Sequence, residues 1–355
     1  LNTYKKRIQN KGEGDFMKSV MIRKPGEIAV VDSPMPAEPE KNEVIVRIKA
    51  AGICGSDLHV YHGRSAFAAY PRIIGHELAG EVYQAGSLVS DLKPGDKVAI
   101  DPVISCGNCY ACRIGRHNVC SSVKVLGIHV DGGFSQYIKV NAGNVHKIPD
   151  NIPWEEAAVI EPFTIAAEAV DRGRLSADDS VLICGAGPIG LAILQAVRRA
   201  GAKAMIMDII DSRLERAKKM GAEKVVNTNN TDLVKAIMDF TDGEGVNLIF
   251  EATGSISVLE LCVSALVSQA GRIVVLGYPR ETARITPLDI MRRELDIIGS
   301  RLNRNMFPEV IEWIKAKEIE PSSIISHVFP MEKVREAIEM YDSEPEKTCK
   351  IVLTF

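Results

Sequence analysis

Residues 180–197 constrain this chain more than any other stretch. Ser180-Val181-Leu182-Ile183-Cys184 is an apolar run of strand length, and Gly185-Ala186-Gly187-Pro188-Ile189-Gly190 follows without a spacer. An apolar helical pattern then begins at Leu191. A G-x-G-x-x-G spacing alone says little, but between a buried strand and a helix it reads as a dinucleotide-binding turn. Its glycines let backbone N–H groups approach a pyrophosphate at the helix N-terminus. A second strand, from Ala204, ends in Asp208, eighteen residues past Gly190. A carboxylate there accepts hydrogen bonds from both ribose hydroxyls and repels a 2′-phosphate, which favours NAD over NADP. Arg213 lies close by in sequence, either along the adenine side or facing solvent. Gly185, Gly187, Pro188, Ile189, Gly190, Asp208 and Arg213 are therefore the candidate cofactor residues.

The alternation continues downstream. Strand-type runs begin at Val225, Val246, Arg272 and Leu295, with helix-type runs over 233–240 and 259–266. Six strands with intervening helices make an α/β, doubly wound parallel sheet. Before it, from Val20 to about Asp150, short strands such as 44–50 and 97–100 are punctuated densely by Gly and Pro. That texture predicts a compact, mainly β domain with long functional loops. With 355 residues the chain is too long for one ordinary core, which makes two domains the natural expectation.

The net charge of −3 gives no case for nucleic acid or an anionic membrane. No apolar run is long enough to span a bilayer and no signal peptide opens the chain, so a cytoplasmic location is expected. Leu1 to Phe16 is polar, contains Lys5-Lys6-Arg7 and lacks an apolar period, so it is expected to be a disordered extension.

Two clusters carry metal-ligand chemistry. In Gly75-His76-Glu77, adjacent imidazole and carboxylate meet at one point only if the backbone bends, which the flanking glycine permits. With Cys54 upstream and Glu161 downstream, the donors make a borderline-soft set that suits zinc, and three protein ligands leave a position for water or substrate. Taken singly, His76 would read as a half-buried structural histidine and Cys54 as a small core residue. The second cluster is Cys106, Cys109, Cys112 and, after seven residues, Cys120. Four thiolates in fifteen residues close a tetrahedral site, for zinc or for an iron–sulfur cluster. The remaining Cys184, Cys262 and Cys349 lie in apolar surroundings, where buried free thiols are the expectation.

The pattern Gly75-His76-Glu77, Gly80, Gly86 and Val89 resembles the signature of zinc-containing alcohol dehydrogenases of the medium-chain family, and the motif order resembles that family from Met17 to Phe355. The resemblance implies a GroES-like catalytic domain over 17–165 and 302–355, a Rossmann domain over 166–301, and an active site in the cleft between them. It also implies two zinc ions per chain, with structural zinc at the four cysteines, and a homodimer or homotetramer. Within the family, Cys54, His76, Glu77 and Glu161 resemble the polyol dehydrogenase branch, where Glu161 would reach the zinc directly or through water. Ser56 and His59 match the family's proton-relay positions. By that match the hydroxyl would pass the substrate proton to the cofactor ribose, and His59 would release it at the surface. Without the resemblance they would read as a turn residue and an exposed loop histidine. Asp57 matches a position that orients the metal-binding histidine.

Alcohol oxidation needs a hydride to leave carbon and a proton to leave oxygen, with NAD taking the first and zinc stabilising the alkoxide. The strings 63–72 and 300–303 resemble a smaller group of sugar-acid dehydrogenases, acting on L-galactonate or L-gulonate at C5. Arg64, Arg72 and Arg301 would suit a carboxylate, since guanidinium pairs with it bidentately. Arg301 has an inter-domain salt bridge as its competing reading, and Arg72 a purely structural one. The alternatives are a neutral polyol or threonine dehydrogenase and, in another class, a non-catalytic NAD- and zinc-binding regulator.

Overall fold

The computed structural model describes residues 16–355. The chain divides into two compact units, one running to Glu161 and resuming at Ile325–Phe355, the other Pro162–Ile324. These limits differ from the expected 165/166 and 301/302. The later crossover has a clear cause in packing. The Gln195 amide donates to the Glu320 carbonyl at 3.2 Å and to Ser323 Oγ at 2.9 Å, and Arg199 lies 4.5 Å over the Trp313 ring. These contacts hold the helix Phe307–Lys315 and the turn Pro321–Ile324 on the second unit.

The first unit is mainly β. Its seven-stranded sheet runs Val145–Lys147, Lys97–Ile100, Glu77–Ala85, Glu43–Ile53, Lys350–Thr354 and Ile325–Pro330, with Tyr137–Asn141 also pairing Glu43–Ile53. Glu43–Ile53 is almost wholly buried and pairs with three neighbours, so it forms the spine of the unit. Val44, Val46, Ile48, Ala51 and Ile53 enter the core from it. Removing such side chains from water is the dominant stabilising term for a sheet of this kind. The expectation of disorder over Leu1–Phe16 falls outside the described residues except for Phe16. That residue is not extension but the first residue of the strand Phe16–Lys24.

The second unit is a six-stranded, all-parallel sheet in the order Lys224–Asn227, Lys203–Asp208, Ser180–Cys184, Val246–Glu251, Val267–Val275, Asp296–Gly299. Strand order reverses between Ser180–Cys184 and Val246–Glu251, the point at which doubly wound sheets bind nucleotides. The helix expected over 259–266 is instead Ile256–Leu261 followed by a π-helical turn Cys262–Leu266, and the next strand begins at Val267. An apolar run with both β-branched and helix-forming residues fits either element on periodicity alone. Among the described residues no helix is long and apolar enough to cross a membrane.

Candidate metal centres and cofactor turn

The bend at residue 75 is built as the sequence requires. Gly75 has φ +100, and a Cβ there would lie 2.0 Å from Phe134 Cδ1. A non-glycine residue would be strained and blocked, and His76 and Glu77 could not be delivered together. Register places their partners: Gly52 lies opposite Glu77 in the sheet, and Cys54 follows at the N-cap of the helix Gly55–Tyr61. The donor atoms of Cys54, His76 and Glu77 lie within 4.8 Å of one another. Glu161, expected as a further ligand, is not in that group. It opens the helix Ile160–Arg172, where burial pushes its carboxyl up to about 8 while the charge of His76 pulls the other way and that of Glu77 adds to the rise. It therefore senses the site electrostatically.

Asp57 organises this group from beneath. One oxygen accepts the Cys54 N–H at 2.9 Å, the other accepts the Gly75 N–H at 3.3 Å and stands 3.6 Å from His76 Nδ1. Burial works against a charge on His76, but Asp57 outweighs it and raises the imidazole pKa well above its ordinary value. A carboxylate behind a histidine fixes its tautomer and makes the outward nitrogen a stronger donor. That nitrogen, Nε2, is 3.3 Å from Ser56 Oγ. Glu77 Oε2 is buried and accepts no hydrogen bond among the described residues. A buried carboxylate oxygen without a donor is costly unless a cation meets it, so the donor set fits a zinc ion.

The other oxygen of Glu77 accepts from the Lys350 ammonium at 2.5 Å. Sequence reasoning missed Lys350. The available signal was a lone lysine inside the apolar run Cys349-Lys350-Ile351-Val352-Leu353. His59 lies on the same helix as Ser56 and is exposed, with its pKa lowered by partial burial and by the neighbouring Arg64 and His62. Arg64 is exposed, whereas Arg72 is committed to Asp131 at 3.1 Å.

The four cysteines of the second cluster also lie within 4.8 Å of one another. Cys109 and Cys112 Sγ are 3.5 Å apart, Cys106 and Cys120 Sγ 3.4 Å. Backbone N–H groups of Cys106 and Ser122 donate to Cys120 Sγ, each at 3.4 Å. Backbone contacts at Cys112 and Ser121 bring the Cys109 thiol down to about 5. Donors aimed at sulfur favour the thiolate, the form that binds metal.

In the second unit the glycine turn is closely packed. A Cβ on Gly190 would lie 1.8 Å from the Gly185 carbonyl oxygen, so only glycine allows the helix to close on the turn. Gly187 is the N-cap of the helix Pro188–Arg199, and Gly187, Pro188 and Ile189 are partly exposed. Asp208 accepts the Ala186 N–H at 2.8 Å, and those of Ile209 and Ile210 at 2.7 and 3.0 Å. Arg213 stands 4.0 Å from the same carboxylate, and Arg301 is exposed.

Comparison with known proteins agrees with this arrangement. The family model for the alcohol dehydrogenase GroES-like domain matches residues 40–150, and that for zinc-binding dehydrogenase matches 188–316. The starvation-sensing protein RspB of Escherichia coli K12 is 43% identical over 342 residues, covering 96% of this chain and 99% of that protein. The crystal structure of rspB from E. coli CFT073, complexed with NADH, superposes with a TM-score of 0.92 at 42% identity, covering 96% and 100% of the two chains. Sorbitol dehydrogenase of Bacillus subtilis is 36% identical over 331 residues, 91% of this chain and 93% of that one. L-idonate 5-dehydrogenase of E. coli superposes with a TM-score of 0.86 at 27% identity, covering 96% and 98%. The chain belongs to the zinc-dependent, NAD-linked alcohol and polyol dehydrogenases, with a GroES-like and a Rossmann-type domain.

Proposed function

We propose that this enzyme oxidises a secondary hydroxyl of a sugar acid, L-gulonate or L-galactonate at C5, with NAD as the acceptor. The observation that carries the reading is the carboxylate of Glu77 standing within 4.8 Å of the Cys54 and His76 donors, the ligand type of the polyol and sugar branch. Similarity to a dehydrogenase of L-idonate supports an acid substrate, while similarity to sorbitol dehydrogenase supports the neutral-polyol alternative. Arg64 and Arg301, both exposed, are the guanidinium groups proposed to meet the substrate carboxylate.

Cys54, His76 and Glu77 would hold the catalytic zinc, with Glu161 close enough to adjust its charge, and the four cysteines a structural one. When bound, zinc supplies a Lewis acid at the substrate oxygen and NAD a hydride acceptor at the carbon. Ser56 takes the hydroxyl proton as it passes its own to the cofactor ribose hydroxyl. His59, one helical turn further along and open to solvent, releases it. Its lowered pKa favours giving the proton up. The 185–190 turn and the following helix N-terminus take the pyrophosphate, and Asp208 the ribose, which selects NAD.

Steady-state rates on a panel of hexonates and the matching hexitols test the substrate class. The expected result is a higher kcat/KM on the acids. Truncating the arginine that holds the carboxylate should raise KM for the acid by roughly one to two decades, the worth of a charge-assisted contact. Equal or better rates on neutral polyols would transfer the assignment to a polyol dehydrogenase.

A further inference from the structure

The two carboxylate oxygens of Glu77 have opposite surroundings. Oε1 is taken by the Lys350 ammonium at 2.5 Å, while Oε2 is buried and accepts no hydrogen bond among the described residues. Lys350 is 2% exposed and Glu77 1%, and the ammonium donates a second bond to the Ile53 carbonyl at 3.2 Å. The sheet makes this meeting unavoidable. Ile351 pairs with Ile53 on one side of the central strand, and Glu77 pairs with Gly52 on the other, so Lys350 arrives beside Glu77 and Cys54. Gly52 supplies the room for Oε2, since a Cβ there would lie 2.0 Å from it.

We propose that Lys350 is a positioning residue that confines Glu77 to a single oxygen toward the metal, and so keeps a coordination position open for substrate. This rests on the reading of Cys54, His76 and Glu77 as zinc ligands. A carboxylate can grip a cation with one oxygen or two. A two-oxygen grip adds a donor and fills the position that catalytic zinc sites leave for water or substrate. Swinging Oε1 away from Lys350 would strand a buried ammonium, which is strongly unfavourable. A fixed cation beside the ligands also repels the metal. The site then binds zinc less tightly than its donors alone would allow, and leaves it more electron-poor toward an alcohol oxygen.

The test exchanges Co(II) into the Cys54 site of the holoenzyme while the four-cysteine lobe keeps its zinc. Visible d–d absorption weakens as coordination rises from four to five, a change open to catalytic sites of this type. Wild type and Lys350→Arg should give the strong four-coordinate band. Lys350→Met should lose several-fold in intensity, and should hold zinc at the Cys54 site at least as tightly in chelator competition. An unchanged cobalt spectrum in Lys350→Met, or weaker zinc binding there, overturns the proposal. Should Lys350→Met not fold, Lys350→Gln keeps an N–H donor without the charge. Tighter zinc in that variant supports the proposal, and equal or weaker zinc overturns it. A wild-type protein that takes up no cobalt at Cys54 removes the ligand reading, and this proposal with it.

Discussion

The first unit carries two metal-ligand groups built on opposite plans. Cys106, Cys109, Cys112 and Cys120 come from one loop, range from exposed to buried, and are oriented largely by N–H groups of that same loop. Cys54, His76 and Glu77 are gathered by a bend and a sheet register, and their counter-charge Lys350 is 273 residues from Glu77. The difference teaches where each group is vulnerable. A local loop group fails when a thiol is lost. A group assembled across strands fails when the strands cannot approach, even with every ligand intact.

The largest effect should therefore come from a residue that binds nothing. Gly52→Ala places a methyl group 2.0 Å from Glu77 Oε2 and must push the carboxylate aside. Zinc affinity at the Cys54 site and kcat/KM should each fall by about 100-fold, the upper range for residues that orient metal ligands. The four-cysteine lobe should keep its metal, as read by metal analysis after mild chelation. A Gly52→Ala protein with full activity would show that Glu77 is not held where the register puts it.

Asp208→Ala gives a smaller effect and leaves both metal groups alone, because it acts in the second unit. Losing the ribose hydrogen bonds and the repulsion of a 2′-phosphate should narrow the NAD-over-NADP ratio by roughly tenfold. The ratio of kcat/KM with the two cofactors measures it, and a wild-type preference for NADP would contradict the assignment.

The smallest effect concerns the sheet edge away from either metal group. Burial pushes His146 from the ordinary 6.5 down to about 4. The unfolded chain then takes up a proton near the ordinary value while the folded one resists until about 4, so stability falls as pH falls through that window. His146→Gln should flatten the dependence by on the order of 1–2 kcal/mol between neutral pH and 5, read from urea midpoints. Comparing variant with wild type at each pH cancels the acid lability of the metals, and parallel curves would rule out a neutral, half-buried histidine.

How much of this could be read beforehand follows the same division. The four-cysteine lobe and the glycine turn were legible because each is a local spacing whose physics is complete within fifteen residues or fewer. The parallel sheet was legible from apolar runs and alternation. The Cys54, His76 and Glu77 group could be named from its resemblance to a family, but Lys350 and Gly52 could not. A lysine in an apolar strand and a glycine before a cysteine acquire meaning only once the register is known. Glu161, expected to reach the metal directly or through water, lies outside the group of donors within 4.8 Å of one another. The first unit resumes at Ile325, later than the expected 302, and no local signal marks that Gln195 and Trp313 hold residues 307–324.

Zinc counted per chain in the Cys109→Ser variant tests most directly whether the two groups are independent. Wild type should hold about two ions and the variant about one, as separate closed and open sites require. The retained ion should be the one that supports turnover with NAD. Loss of both metals together, or of neither, would contradict the account.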